Sequence, residues 1–139
     1  MALERTFAIV KPDAVKDGHI GEILTTIEQS GLKVVGLKQT RLTPALCQGF
    51  YHEHVGKGFY ADLETFMTEG PVVLMVLEGE NAILRWRDLM GATNPASAAE
   101  GTLRKRFGAN IGRNATHGSD KPESAKFEVG YFFNAFEQM

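Results

Sequence analysis

The stretch Asn114-Ala115-Thr116-His117-Gly118-Ser119-Asp120 places one imidazole among small polar residues, with a glycine directly after it. A neutral imidazole is a good nucleophile, so His117 is the residue around which chemistry is expected. Gly118 removes a side chain where a substrate would have to come close. Ser119 and Asp120 supply a hydroxyl and a carboxylate, and Asp120 followed by Glu123 has the spacing of a helix start. A nearby carboxylate would hold the ring in one tautomer, and Glu128 is the candidate. No serine or cysteine stands here with a base of its own, so the pattern is not that of a hydrolase triad.

Positive charge is scattered along the chain at Lys11, Arg87, Arg104, Lys105, Arg106 and Arg113, and a fold can gather it. Lys11 ends an apolar run just before Pro12-Asp13, so it reads either as a surface charge at a strand edge or as an ammonium at the mouth of a cleft. Arg87 shares a helical stripe with Ile83 and Met90, where a cation either snorkels or reaches an anion. Thr93, in Gly91-Ala92-Thr93-Asn94-Pro95, is a turn residue or a hydroxyl for phosphate. His52-Glu53-His54 invites a metal reading, but histidines two apart on a helix point away from each other, and a solvated helix end fits better. The chain has no P-loop, no G-x-G-x-x-G and no protein-kinase H-R-D or D-F-G.

The elements that must position these residues follow from periodicity. Residues 5–11 are apolar at both odd and even positions, as in a strand buried on both faces. Ile20, Ile23, Leu24 and Ile27 predict a helix that Gly31 ends. Residues 32–41 read as a second strand with a bulge at Gly36. Thr43-Pro44 is a strong helix start, an N-cap hydroxyl followed by proline. Residues 61–69 read as another helix, stopped by Gly70-Pro71. Val72 to Leu77 is a third strand, and Asn81 caps a helix that runs to Met90. Residues 91–102 read as loop, within a long stretch to 120 of the kind that carries function. Pro122 to Phe127 makes a turn or two of helix, and Glu128 to Phe133 is the last strand. This order predicts an α+β fold, a ferredoxin-like split βαβ arrangement with an antiparallel sheet of four strands covered by helices.

The sequence has 139 residues, one cysteine and a net charge of −2. That length fits a single domain over residues 1–139, on a prior of roughly 100–200 residues per domain. One cysteine, Cys47, forbids an internal disulfide and suits the cytoplasm. The N-terminus lacks the pattern of a signal peptide, and no apolar run approaches the ~20 residues needed to span a bilayer, so no membrane is expected. The net charge is not that of a dedicated nucleic-acid binder, although Arg104-Lys105-Arg106 permits a local contact.

The motif around His117 matches the N-x-x-H-G-S-D signature of nucleoside diphosphate kinases, and the resemblance extends along the chain. RTFAIVKPDAV resembles the family's first strand and following turn. GFYHEH, GKGFYADLETFMTEGPVV, LMGATNP, EGTLR and ESAKFEVGYFF match in the same order. The resemblance implies a kinase that moves the γ-phosphoryl group of a nucleoside triphosphate, mainly ATP, to nucleoside diphosphates through phosphohistidine at His117. By the same resemblance, Arg87, Thr93 and Arg104 hold the phosphates. Lys11 and Asn114 contact the sugar hydroxyls, with Lys11 also near the transferred group. Phe59 stacks on the base with Ile111 on its other face, Tyr51 lies at the active histidine, and Ser119 and Glu128 support the ring. Mg²⁺ is implied as a companion of the nucleotide phosphates, with no direct protein ligand.

The resemblance also implies a homo-oligomer. Glu100 stands where hexameric members carry a proline, and the chain stops at Met139, which favours a dimer or tetramer over a hexamer. The competing readings are a silent nucleotide-binding regulator and a histidine phosphorelay protein on the same fold.

Overall fold

The computed structural model describes residues 3–139. Its sheet has four strands in the order β2-β3-β1-β4, formed by Leu3–Val10 (β1), Lys33–Arg41 (β2), Pro71–Glu80 (β3) and Thr116–Gly118 (β4). Each neighbouring pair is antiparallel. The helices are Pro12–Lys16 (α1), Ile20–Gln29 (α2), Pro44–Phe50 (α3), Tyr60–Met67 (α4), Ala82–Met90 (α5), Leu103–Phe107 (α6) and Pro122–Phe132 (α7). The expected ferredoxin-like α+β fold is the one adopted.

The apolar runs of β1 and β3 are explained by layers on both sides of the sheet. Phe7, Ile9, Val72, Leu74 and Val76 join Phe50, Tyr51, Phe66, Val129 and Phe133 in one core under α3, α4 and α7. Ala8, Val10, Val73, Met75 and Leu77 join Ile23, Ile27, Trp86, Met90 and Leu103 in a second core under α2, α5 and α6. Strand alternation alone sorts the two sets. Deleting methylenes from either core would leave a cavity, at about 2–5 kcal/mol for a large aliphatic cut to alanine.

Local chemistry sets the ends. Thr43 accepts the Leu46 N–H at 3.2 Å, and Pro44 opens α3 as expected. The irregularity in β2 falls between Val34 and Gly36, as anticipated. A Cβ on Gly36 would meet Val76, Phe133 and the Glu137 carbonyl at 3.1 Å, so a side chain there would have to push its neighbours aside slightly. Asn81 does precede α5, but in a left-handed conformation and without capping it. The Glu4 carboxylate takes the Ile83 N–H instead, at 2.9 Å.

One element differs from expectation in a way that matters for the site. Residues 128–132 are not a strand but the second half of α7, with Phe133 just past its end, and the fourth strand is the short segment that carries His117. The aromatic and β-branched run suggested a strand. The buried positions Ala125, Val129 and Phe133, however, recur every four residues, which is helical spacing. Pro122 at the first turn pre-sets that helix.

Candidate active site

His117 pairs with Ile9 across the β1–β4 ladder, so its ring faces the same side of the sheet as Phe7 and Ile9. Phe50 and Phe7 present ring edges to it at centroid distances of 5.4 and 6.2 Å. Its Nε2 lies 2.8 Å from Glu128 Oε1, and the Ser119 hydroxyl donates to that same oxygen at 2.9 Å. A carboxylate only accepts, so Nε2 carries the hydrogen and Nδ1 keeps its lone pair. Ser119 is itself anchored, since the Phe7 N–H reaches its Oγ at 3.3 Å. A continuous line of hydrogen bonds therefore runs from the central strand through Ser119 and Glu128 to the ring. Because α7 is a helix, Glu128 projects from an element packed on β1, and this placement replaces the strand start expected for it.

Gly118 has a different reason from the one expected. Strand alternation turns it away from His117, toward the opposite core. A Cβ there would sit 2.6 Å from Trp86 and Met90. The glycine admits the Trp86 indole, whose Nε1–H donates to the His117 carbonyl at 3.1 Å. It serves packing beneath the histidine, not the approach of a substrate. The expected capping by Asp120 is not formed: Lys121 stands at the N-cap with no side-chain cap bond, and Asp120, one residue earlier, accepts the Ser124 hydroxyl at 2.6 Å, which keeps its carboxyl below the usual range.

The turn before His117 is strained and held from two sides. Ala115 has φ of +73°, and Thr116 N–H bonds to the Asn114 carbonyl at 2.9 Å, a tight three-residue turn. The Ala115 carbonyl accepts from Lys11 N at 2.8 Å, and its N–H donates to Asp13 at 3.1 Å. The conformation fixes Asn114 beside Lys11, with Lys11 Nζ donating to Asn114 Oδ1 at 2.8 Å. Asn114 Nδ2 in turn donates to the Thr93 carbonyl at 3.0 Å. Lys11 is buried, so it is not a strand-edge surface charge.

Arg104 is buried on α6 and spans two backbone carbonyls, Gly91 at 3.0 Å and Thr116 at 2.9 Å, with its Nε left unpartnered. Burial, followed by the neighbouring Arg104, pushes Lys11 down to about 8. Burial, followed by Arg87, pushes Arg104 down to about 10. Arg104 thus disfavours the charge of Lys11 and Arg87 that of Arg104, with Asp13 opposing on Lys11, an arrangement that a bound anion would relieve. Arg87 is exposed on the flank of α5, away from the buried stripe of Ala82, Ile83, Trp86 and Met90. It lines a hollow of about 470 Å³ with Thr93 and Arg104.

Thr93 also borders a larger cleft of about 940 Å³, which contains Lys11, Tyr51, Phe59, Ile111, Arg113 and His117. Phe59 and Ile111 are 52% and 62% exposed, large apolar groups left open within one cleft. A third hollow of about 320 Å³ reaches His117 from the α7 side. The buried Tyr51 borders both of the clefts that meet at His117, and burial drives its hydroxyl well above the usual phenol range. His52 and Glu53 are exposed on the turn after α3, and no group of three or more metal-ligating side chains occurs among the described residues. Lys11, Tyr51, Phe59, Arg87, Thr93, Arg104 and Ile111 thus line these hollows, Asn114 joins Lys11 to Thr93, and Ser119 and Glu128 support His117, whereas Lys105 and Arg106 lie exposed outside them. Trp86, which holds the His117 carbonyl, and Asp13, which holds the Ala115 N–H in the turn before it, were missed; Asp13 had a signal in its place directly after Lys11-Pro12.

The model of the family described as nucleoside diphosphate kinase matches residues 4–138. The chain belongs to the nucleoside diphosphate kinase family. A nucleoside diphosphate kinase of Syntrophotalea carbinolica is 60% identical over 131 residues, 94% of this chain and 96% of that one. One from Oleidesulfovibrio alaskensis is 58% identical over 96% of each chain. Among solved structures, the Aquifex aeolicus enzyme superimposes with a TM-score of 0.97 at 43% identity, covering 99% of this chain and all of that one. The Halobacterium salinarum enzyme, solved in complex with CDP, gives 0.95 at 44% identity, covering 99% and 92%. The chain is accordingly a nucleotide-binding phosphotransferase with nucleoside diphosphate kinase activity.

Proposed function

We propose that the kinase works by two half-reactions through phosphohistidine at Nδ1 of His117, with ATP as the main donor. The observation that carries this reading is the Ser119–Glu128–Nε2 line, which leaves Nδ1 as the ring nitrogen with a free lone pair. In the first half-reaction that lone pair attacks the γ-phosphorus, the bond to the bridging oxygen breaks, and the diphosphate departs with the electron pair. In the second, a terminal oxygen of another nucleoside diphosphate attacks the same phosphorus and the P–N bond breaks. As positive charge develops on the ring, Glu128 stabilises it through Nε2–H.

Phosphoryl transfer depends chiefly on positioning and charge compensation. Arg87, Thr93 and Arg104 are assigned to the phosphates, Lys11 and Asn114 to the sugar hydroxyls, and Lys11 also to the transferred group. Phe59 and Ile111 are assigned to the two faces of the base, with Tyr51 beside His117. A ring that stacks accepts every base, so broad base specificity follows. The ammonium and guanidinium groups of Lys11, Arg87 and Arg104 suit phosphate oxygens rather than a metal ion. They therefore fit a nucleotide whose Mg²⁺ rides on its phosphates. That ion would neutralise phosphate charge, while Lys11, Arg87 and Arg104 orient the phosphates.

The same reading assigns the chain, as one domain over residues 1–139, to a cytoplasmic homo-oligomer, a dimer or a tetramer of dimers' kind, with Glu100 arguing against a hexamer. A nucleic-acid role gains little support, since Arg104 turns inward and Arg106 is paired with Glu22 at 2.6 Å. Initial rates with ATP and a varied diphosphate test the proposal. Parallel double-reciprocal lines are expected, and intersecting lines, which require both nucleotides bound together, would overturn it.

A further inference from the structure

We propose that Glu69 and Arg113 form a clasp that sets the spacing between the two walls of the base cleft, and so act as positioning residues for nucleotide binding. The inference rests on reading that cleft as the nucleotide site. Arg113 makes two parallel bonds to Glu69, Nη1 to Oε2 at 3.0 Å and Nη2 to Oε1 at 2.7 Å. Its guanidinium also lies over the Phe66 ring, 4.6 Å from the centroid. Glu69 stands in the turn between α4 and β3, and Arg113 stands 44 residues later in the loop after α6. Phe59 precedes α4 on one wall, Ile111 belongs to the loop on the other, and both line the cleft together with Glu69 and Arg113.

Among the described residues, the loop makes no other hydrogen bond to the facing wall. Ala109 N–H bonds to the Arg113 carbonyl at 2.8 Å. Asn110 Oδ1 takes the N–H groups of Gly112 and Arg113 at 3.0 and 2.9 Å. Among the described residues, the hydrogen bonds made by residues 109–112 stay within the loop, and the Arg113 side chain crosses to Glu69 just past α4 and to the Phe66 ring on it. The pair is a fork against a carboxylate, which fixes orientation as well as distance. Without it, the Ile111 wall has to be ordered each time a base is bound, and that cost falls on binding rather than on the chemical step.

The test compares Glu69→Gln, Arg113→Gln, Arg113→Lys and the double exchange of Glu69→Arg with Arg113→Glu, using ATP with GDP and with dCDP. Each glutamine variant is expected to raise KM for both acceptors by about two- to fivefold, the scale of an exposed ion pair, with a smaller change in kcat. Arg113→Lys keeps the charge without the fork and should fall in between, and the double exchange should recover most of the loss. Unchanged KM in both glutamine variants would overturn the clasp, as would a fall in thermal stability with KM left at the wild-type value. A double exchange no better than the single variants would overturn it too. These outcomes presuppose a turning-over wild type. A wild type that takes no phosphoryl group from ATP refutes the underlying reading of the site, and the clasp with it.

Discussion

Glu128→Gln isolates the support of His117 from everything else in the site. The substitution keeps the shape of the side chain and removes the charge that both the His117 Nε2–H and the Ser119 hydroxyl address, at 2.8 and 2.9 Å. The glutamate side chain is only 14% exposed, so water replaces it poorly. A hydrogen bond to a charged group contributes about 1.5–3 kcal/mol, which converts to roughly a 10- to 150-fold loss of rate at 1.36 kcal/mol per decade. The amide adds a second harm, since an N–H turned toward Nε2 would favour the tautomer that protonates Nδ1. The assay is rapid mixing with ATP, following phosphorylation of the protein in a single turnover, beside equilibrium binding of ADP. The rate should fall within that range while ADP affinity stays within about twofold, because Glu128 faces the ring and not the base cleft. A variant that phosphorylates at the wild-type rate would refute the reasoning, and so would one that loses ADP affinity instead.

Other expectations follow from the same geometry. Gly118→Ala forces a methyl group to within 2.6 Å of Trp86 and Met90. Overpacking of that kind costs about 1–3 kcal/mol, so chemical denaturation should show a clear loss, and stability unchanged within 0.5 kcal/mol would contradict the packing argument. Lys11, depressed to about 8 by burial and by Arg104, is charged below that pH and neutral above it. Nucleotide affinity should therefore decline as pH rises through about 8, with proton uptake on binding at that pH; a flat profile to pH 10 would contradict it. The unliganded fold gains stability over the same rise, because the unfolded lysine holds its proton to a higher pH. Phe59→Ala should weaken all nucleotides alike by about 1–3 kcal/mol, read as KM for purine and pyrimidine diphosphates, and a loss confined to one base would contradict stacking as its role.

Much of the fold was legible in the sequence because periodicity and punctuation agreed. The two-sided burial of β1 and β3 was visible in unbroken apolar runs, and Thr43-Pro44 marked α3 to the residue. The last element was misread because Glu128 to Phe133 has the composition of a strand, while its burial repeats every four residues once Ala125 is included. The three-residue strand β4 was hidden for a related reason: it is too short to show alternation, and only its ladder with β1 defines it. His117 stood out from its neighbours, Glu128 was a candidate carboxylate for its ring, and the resemblance supplied the nucleotide-binding residues. The purpose of Gly118 was out of reach, since it depends on Trp86, 32 positions away in sequence and on the opposite face of the sheet. The Glu69–Arg113 fork was equally hidden, because spacing says nothing about which distant charges a fold will bring together.

The central claim is that Nδ1 of His117 carries the phosphoryl group between nucleotides. The direct measurement mixes the protein with γ-labelled ATP and Mg²⁺, isolates it, and assigns any phosphohistidine by ³¹P NMR in the denatured, alkaline state, with His117→Ala alongside. The account predicts acid-labile, alkali-stable label at Nδ1 that leaves equally to GDP or dCDP and is absent from the variant. Label at Nε2, label surviving in His117→Ala, or turnover without any labelled protein would contradict it.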